Sequence, residues 1–380
     1  MTGSHEKKTS RRAFLAGGGV GLVAGAAATH LLTAERPAAP AIILPNEVGT
    51  EWKIQTSWPG GRGLDVFREW ADSVVEKTSG ELKLVPYKAN ELVGEFQLFD
   101  ALGQGKLQAI NSFTQYWSGR MPACVFLVSF PLGLRQAQEW EVFYYKLGGL
   151  EIARELFARF GMYYLGPIRH GANIIHSKKP IRSIADFKGL RMRMPGGLVA
   201  ELFQAAGART VMLPGSEILQ ALKADSIDAA DYVGPAVNVA LGLHKEARFV
   251  SMGPAGFMSI YQPVDLMDIV VSAESWRKLP EKMKRFLEDE VRIYSLHHHT
   301  EIEAADQQAW LELERDGAQI TRLGDEDVDA FTQLIIPRWF AWANRDRDAG
   351  RLFRIHLDYM MSGSLGYITP DMIKGQRLNA

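Results

Sequence analysis

Residues 189–197 read GLRMRMPGG. An alternating strand over Leu190–Met194 puts Leu190, Met192 and Met194 on one face and Arg191 and Arg193 on the other. Pro195, Gly196 and Gly197 then turn the chain into LVAELFQAAG, whose apolar spacing is helical. Two guanidinium groups thereby approach a helix N-terminus, where unpaired backbone N–H groups favour anions. Taken alone, the stretch supports either a carboxylate or phosphate site, or two arginines paired with acids on a wet surface.

The strand–turn–helix unit recurs on both sides. Upstream, EWKIQTSW reads as a strand and LDVFREWADSVVEKTSG as a helix, with Leu64, Phe67, Ala71, Val74 and Val75 inward and Gly80 as its stop. ELKLVPY is a second strand, EFQLFDALGQG a second helix and LQAINSF a third strand. This βαβαβ order predicts a mostly parallel sheet with helices on both faces. After residue 166 the pattern returns: ADFKG as a short helix, LRMRM and RTVMLP as strands around LVAELFQAAG, SEILQALKAD as a helix capped by Ser216, and SIDAADYV as a strand. A late strand, MDIVVSA, implies connections that cross between two lobes. From Glu281 onward the spacing is almost wholly helical.

The chain has 380 residues, 47% of them hydrophobic, enough for two globular lobes. Its 43 basic and 44 acidic residues nearly cancel, so nothing points to nucleic acid. Cys124 is the only cysteine, which excludes an internal disulfide, a cysteine-rich metal cluster and a lipoprotein anchor after the leader. Residues 1–49 read as an export signal and linker. Lys7, Lys8, Arg11 and Arg12 precede a weakly apolar Gly/Ala-rich run, SRRAFL carries a twin arginine, and ERPAAPAIILPNEVG is proline-rich. The run is about long enough to span a membrane but poorly apolar for that role. The expected location is the periplasm, reached by a twin-arginine-type signal.

Catalytic patterns are wanting. PGGRG at 59–63 fits neither phosphate-loop spacing, and there is no H-E-x-x-H or G-x-S-x-G. His297, His298 and His299 point about 100° apart on a helix and cannot share one ion; His297 with Glu301 reads as a surface face. Cys124 reads as a buried hydrophobe. Nothing assembles a nucleophile, a base and an oxyanion site, so the residues point to binding without turnover.

Three stretches together, ADFKGLRMRMPGG, LPGSEILQALKADSIDAADYVGP and TSWPGG with ANELVGEFQLFDAL, resemble the solute-binding proteins of tripartite ATP-independent periplasmic (TRAP) transporters. They are similar in particular to the branch binding 2-oxo acids and other small monocarboxylates. The resemblance runs from about Trp52 to the C-terminal helices. It implies a two-lobed periplasmic binding protein fold of α/β class, with crossing inter-lobe segments and a helical C-terminus. The implied layout is 50–168 for the first lobe, 169–263 for the second, 264–305 returning to the first, and 306–380 as helices spanning both.

The resemblance also implies site residues. Arg193 takes the place of the arginine that pairs with the substrate carboxylate, and Arg191 becomes structural. A planar guanidinium matches a carboxylate with two parallel hydrogen bonds, which lysine does not. The branch carries Glu-Trp-Val-Gly-Pro where this chain has Asp231-Tyr232-Val233-Gly234-Pro235, and there the acid and its neighbour's carbonyl help hold a cation beside the substrate. A glutamine of the branch falls on Ala172, with Asn173 one residue away; a His-Glu-Pro segment appears as Tyr261-Gln262-Pro263. Asp231, the Tyr232 carbonyl and Gln262 are thus the candidate ligands of a sodium or calcium ion, and the reduced charge leaves the metal-free case equally open. From the first lobe, Ser57, Trp58, Glu91, Tyr116 and Trp117 lie at strand ends or in the turns after them, where open α/β sheets bind ligands. The implied function is an exported receptor that captures a small organic acid for membrane permease subunits. A keto-acid enzyme or a periplasmic ligand sensor would use the same anchor. IIPRWFAWANRDRDAGRLFRIHLDYMM is apolar enough to pack on a second copy, so a homodimer is also expected.

Overall fold

In the computed structural model, residues 49–254 and 258–379 are described. Residues 1–48, the stretch expected to hold an export signal and most of a linker, lie outside the described residues. The strands are β1 (Thr50–Thr56), β2 (Leu82–Tyr87), β3 (Ala109–Ser112), β4 (Met162–Gly171), β5 (Ile174–Ser177), β6 (Arg191–Arg193), β7 (Arg209–Val211), β8 (Ala229–Tyr232), β9 (Phe249–Met252), β10 (Asp265–Ser272) and β11 (Gln319–Arg322). They form two sheets, ordered β2-β1-β3-β10-β4 and β11-β9-β5-β8-β6-β7.

The first sheet starts as the sequence rhythm requires. β1 runs parallel to β2 and β3, and the helix Gly61–Lys77 crosses between β1 and β2. That helix buries Leu64, Phe67, Trp70, Ala71 and Val74. Its chain reverses at Gly80, whose φ of 82° suits glycine. The expectation of a mostly parallel sheet needs correction. β10 pairs antiparallel with both β3 and β4, so the sheet is mixed. Every residue of β10 is buried, Asp265 and Asp268 included, so a strand covered on both faces completes the sheet's interior.

The second sheet is reached by a short step, because only Ala172 and Asn173 separate β4 from β5. β5 pairs antiparallel with β8 and β9, while β6 runs parallel to β7 and β8. The strand expected over Leu190–Met194 is confined to Arg191–Arg193, although Leu190 O and Met194 N still bond to Arg209 and Val211 at 2.7 and 3.0 Å. Ser216 is not the helix cap it was expected to be. A 3-10 turn over Gly215–Glu217 opens the helix Ile218–Lys223, and the Ser216 hydroxyl accepts instead from Asn90 Nδ2 at 2.8 Å.

The C-terminal part is helical except for one strand that sequence spacing missed. The 35-residue helix Glu281–Arg315 is about 50 Å long. It packs on β4 of the first sheet and on the helix Pro235–Ala240 that follows β8 of the second. It delivers the chain to β9, whose free edge is then covered by β11 in parallel. The helices Asp325–Ala343 and Arg347–Met361 follow. Their large apolar residues are consumed inside the chain. Trp339 Nε1 donates to Pro131 O at 3.0 Å, Phe353 packs on Phe126 at 5.1 Å, and His356 stacks on Phe143 at 4.0 Å. These buried apolar residues belong to this chain's own core. No helix among the described residues is long and apolar enough to cross a membrane.

Gly63 supplies a test of this packing. A Cβ there would lie 2.6 Å from the Trp58 indole, which is fully buried. Glycine-to-alanine changes inside helices ordinarily stabilise by about 1 kcal/mol. Gly63→Ala should instead lower stability by roughly 1–3 kcal/mol, because the indole has no room to move. A urea midpoint at or above that of the parent protein would contradict this packing.

Candidate functional site

The two arginines of β6 separate as the chain leaves solvent for the interior. Arg191 is exposed and held by Asp228, with Nε and Nη2 donating at 3.0 and 2.7 Å. Arg193, two residues on, is 1% exposed. The turn after it relies on glycine: Gly196 and Gly197 have φ of 96° and 58°, and a Cβ on Gly197 would meet Val125 at 3.0 Å.

A buried guanidinium must place its donors. Arg193 Nε donates to Leu213 O at 2.9 Å, Nη1 to Asp231 O at 2.7 Å, and Nη2 to the Tyr116 hydroxyl at 3.0 Å. Its Cζ lies 5.2 Å from the Tyr232 ring centroid. A guanidinium has five N–H groups. Three are committed, leaving one on each terminal nitrogen, the number a bidentate carboxylate takes. Burial works against the charge, but Tyr116, Asp231, Tyr232 and Glu95 together outweigh it and raise the pKa, so Arg193 stays protonated.

Two buried acids flank this cation. Asp231 ends up fully buried in β8, its Oδ2 3.9 Å from Arg193 Nη1, and neither carboxylate oxygen has a hydrogen-bond partner. Burial pushes its pKa well above the usual carboxylate value, against the pull of Arg193. Glu95, from the first sheet's side, is 1% exposed and likewise has both oxygens unpartnered. Burial raises it to about 7, with Arg193 acting in the opposite direction. Buried carboxylates without donors are costly, and such groups concentrate where a ligand completes the set.

Behind this cluster, Asn173 and Gln262 come together. Asn173 Nδ2 donates to Gln262 Oε1 at 3.0 Å and to Asp265 Oδ2 at 3.1 Å, and its own Oδ1 is buried without a partner. Gln262 Nε2 also reaches Asp265 Oδ2, at 2.8 Å. Burial raises Asp265 to about 7. For a cation, Asp231 brings two unclaimed oxygens and Gln262 an amide oxygen. Among the described residues no three His, Cys, Asp or Glu side chains are grouped to hold a metal, so carbonyl and amide oxygens would have to complete the shell.

The sequence-based candidates divide accordingly. Arg193, Asp231, Tyr232 and Tyr116 are assembled around one guanidinium. Glu91 is not among them: it is exposed, and its carboxylate accepts from the Lys88 N–H at 3.0 Å. The buried acid of that segment is Glu95, carried inward by a 3-10 turn over Glu95–Gln97 that helical spacing does not announce. Trp117 packs on Phe99 at 5.2 Å, and Trp58 stacks on His298 at 5.7 Å, so both serve the interior of the first sheet. The Ser57 hydroxyl is bound to that of Ser112 at 2.8 Å. His298 is buried beside Trp58, whereas His297 faces Glu301 at 3.9 Å as a helix surface pair.

The chain matches the bacterial extracellular solute-binding protein family 7 (DctP) over residues 62–346. It is 31% identical over 293 residues to a monocarboxylate 2-oxoacid-binding periplasmic protein of Nostoc, covering 77% of this chain and 78% of that one. Among solved structures it resembles a TRAP periplasmic solute-binding protein of Colwellia psychrerythraea with bound calcium and pyruvate. That match has TM-score 0.76 and 23% identity, and covers 82% of this chain and 94% of the other. One of Pseudoalteromonas atlantica with bound sodium and pyruvate gives TM-score 0.74 and 21% identity over 83% and 94%. These likenesses establish the two-lobed α/β architecture. The chain therefore belongs to the bacterial extracellular solute-binding protein family 7, whose members are receptors and not enzymes.

Proposed function

We propose that the protein is the extracytoplasmic receptor of a TRAP transporter. It binds a small organic acid, a 2-oxo acid or related monocarboxylate, through a salt bridge to Arg193 and delivers it to membrane permease subunits. The observation that carries this reading is Arg193 itself. It is a buried, protonated guanidinium with three donors anchored and two left over, between unpartnered acids. The 2-oxoacid-binding Nostoc relative and the pyruvate-bound structures support the ligand class.

In this proposal the first lobe comprises 50–168 with 264–305, the second 169–263, and the C-terminal helices brace both. Closure brings Tyr116 from the first lobe onto Arg193 of the second, so ligand capture and lobe closure are one event. A cation, sodium or calcium, is held by Asp231, the Tyr232 carbonyl and Gln262. The unpartnered Asp231 oxygens and the ions bound in the two related structures support this. The location is the periplasm, with SRRAFL as a twin-arginine export signal.

Arg193→Ala should abolish detectable pyruvate or lactate binding by calorimetry, a loss of roughly 3–5 kcal/mol or two to four decades, because it leaves a desolvated carboxylate unpaired. Arg193→Lys should recover only part of that affinity. Arg191→Ala should stay within about tenfold of the parent, since its partner is Asp228. Circular dichroism controls for folding; unchanged binding by Arg193→Ala would dispose of the carboxylate reading. For the cation, chelated and sodium-free protein should gain ligand affinity when calcium or sodium is restored, and Asp231→Asn should remove that gain. Equal affinity in all these conditions argues for a metal-free site.

A further inference from the structure

Arg193 accounts for one end of a ligand, and Glu95 stands free at the other. The Glu95 backbone is fixed, because its N–H donates to Asn90 Oδ1 at 2.8 Å while Asn90 Nδ2 reaches across to Ser216 Oγ at 2.8 Å. The next residue, Phe96, packs on the Tyr116 ring at 5.0 Å, and the Tyr116 hydroxyl oxygen accepts from Arg193 Nη2 at 3.0 Å. The carboxylate is therefore held beside the anchor, 1% exposed, with neither oxygen hydrogen-bonded. Arg193, Tyr116 and Tyr232 face it from three other segments, and Glu217 adds a like charge from the turn after β7. An ionised carboxylate is acceptor-only, and burying one without a donor is unfavourable unless a ligand brings that donor.

We propose that Glu95 is the specificity-determining residue for the ligand's second polar group, and that it selects a hydrogen-bond donor at carbon 2. The ligand class is then a monocarboxylate carrying a hydroxyl or an ammonium next to its carboxylate. This rests on the reading that Arg193 holds the carboxylate. In such a ligand the 2-substituent sits one carbon from the anchored group, so the residue that reads it must lie beside the guanidinium and come from the opposing lobe. Glu95 meets both conditions. A 2-oxo group presents only acceptor lone pairs to Glu95, an acceptor facing an acceptor, whereas a hydroxyl or ammonium satisfies one of its two free oxygens. An ammonium would also balance the charge that the ligand carboxylate adds to the buried site.

The test is calorimetry at pH 8 on ligands of one skeleton differing only at carbon 2: pyruvate, each enantiomer of lactate, and each enantiomer of alanine, followed by the four- and five-carbon series. The parent protein should bind a hydroxyl- or ammonium-bearing member at least about tenfold more tightly than its 2-oxo counterpart. Glu95→Gln, which keeps shape and offers both donor and acceptor, should bring the three types within about threefold of one another. Glu95→Ala, should the glutamine variant fold poorly by circular dichroism, serves the same comparison. A parent protein that binds the 2-oxo member as tightly as the others overturns the proposal. So does a Glu95 variant that keeps the parent's ranking, or the absence of binding by every donor-bearing member. Arg193→Ala separates the two levels. If it binds all members like the parent, the anchor reading has failed; if it abolishes binding while Glu95→Gln leaves the ranking intact, only the role of Glu95 has failed.

Discussion

A guanidinium taken out of water must have its donors met, and Arg193 meets this constraint with partners from three separate places. Leu213 supplies a carbonyl from the chain after β7, Asp231 one from β8, and Tyr116 a hydroxyl from the turn after β3. Two of these belong to the sheet that carries Arg193, and the third comes from the other sheet. All three of its protein partners are met only when the two sheets are together.

The electrostatics around that cation are unusual for a protein interior. Buried charges are normally paired, yet Asp231 and Glu95 leave all four carboxylate oxygens without hydrogen bonds. The contrast with Arg191 and Asp228, a partly exposed bidentate pair two residues away, is instructive. There charge is spent on the protein itself. At Arg193 and its neighbours it is held in reserve, with burial raising both acids toward their neutral forms.

The connections between the sheets place polar groups where the chain crosses. β4 passes to β5 through Ala172 and Asn173, and β10 re-enters the first sheet at Asp265. Asn173, Gln262 and Asp265 are hydrogen-bonded to one another at these crossings. A network of this kind fixes the relative path of both strands, because each member's loss would leave a buried polar group unpaired. The helices after Glu281 add a second constraint, with His356 and Trp339 bonded to backbone carbonyls of residues 126 and 131.

Local pattern by itself determined the α/β class, the β1–β3 unit, and the strand and glycine turn at Arg191–Gly197. These depend on neighbours within a few residues, through apolar period and glycine conformation. That Arg193 is buried and Arg191 exposed was not legible from alternation, which puts both on one face. Tertiary structure decided the rest. β10 pairs antiparallel between β3 and β4, and β11 closes an edge of the second sheet, because partners more than a hundred residues apart in one case and about seventy in the other were free to receive them. The exchange of Glu91 for Glu95 has the same origin. Both are acids in one short segment, and only the 3-10 turn over Glu95–Gln97, with its first N–H held by Asn90, decides which one is carried out of solvent.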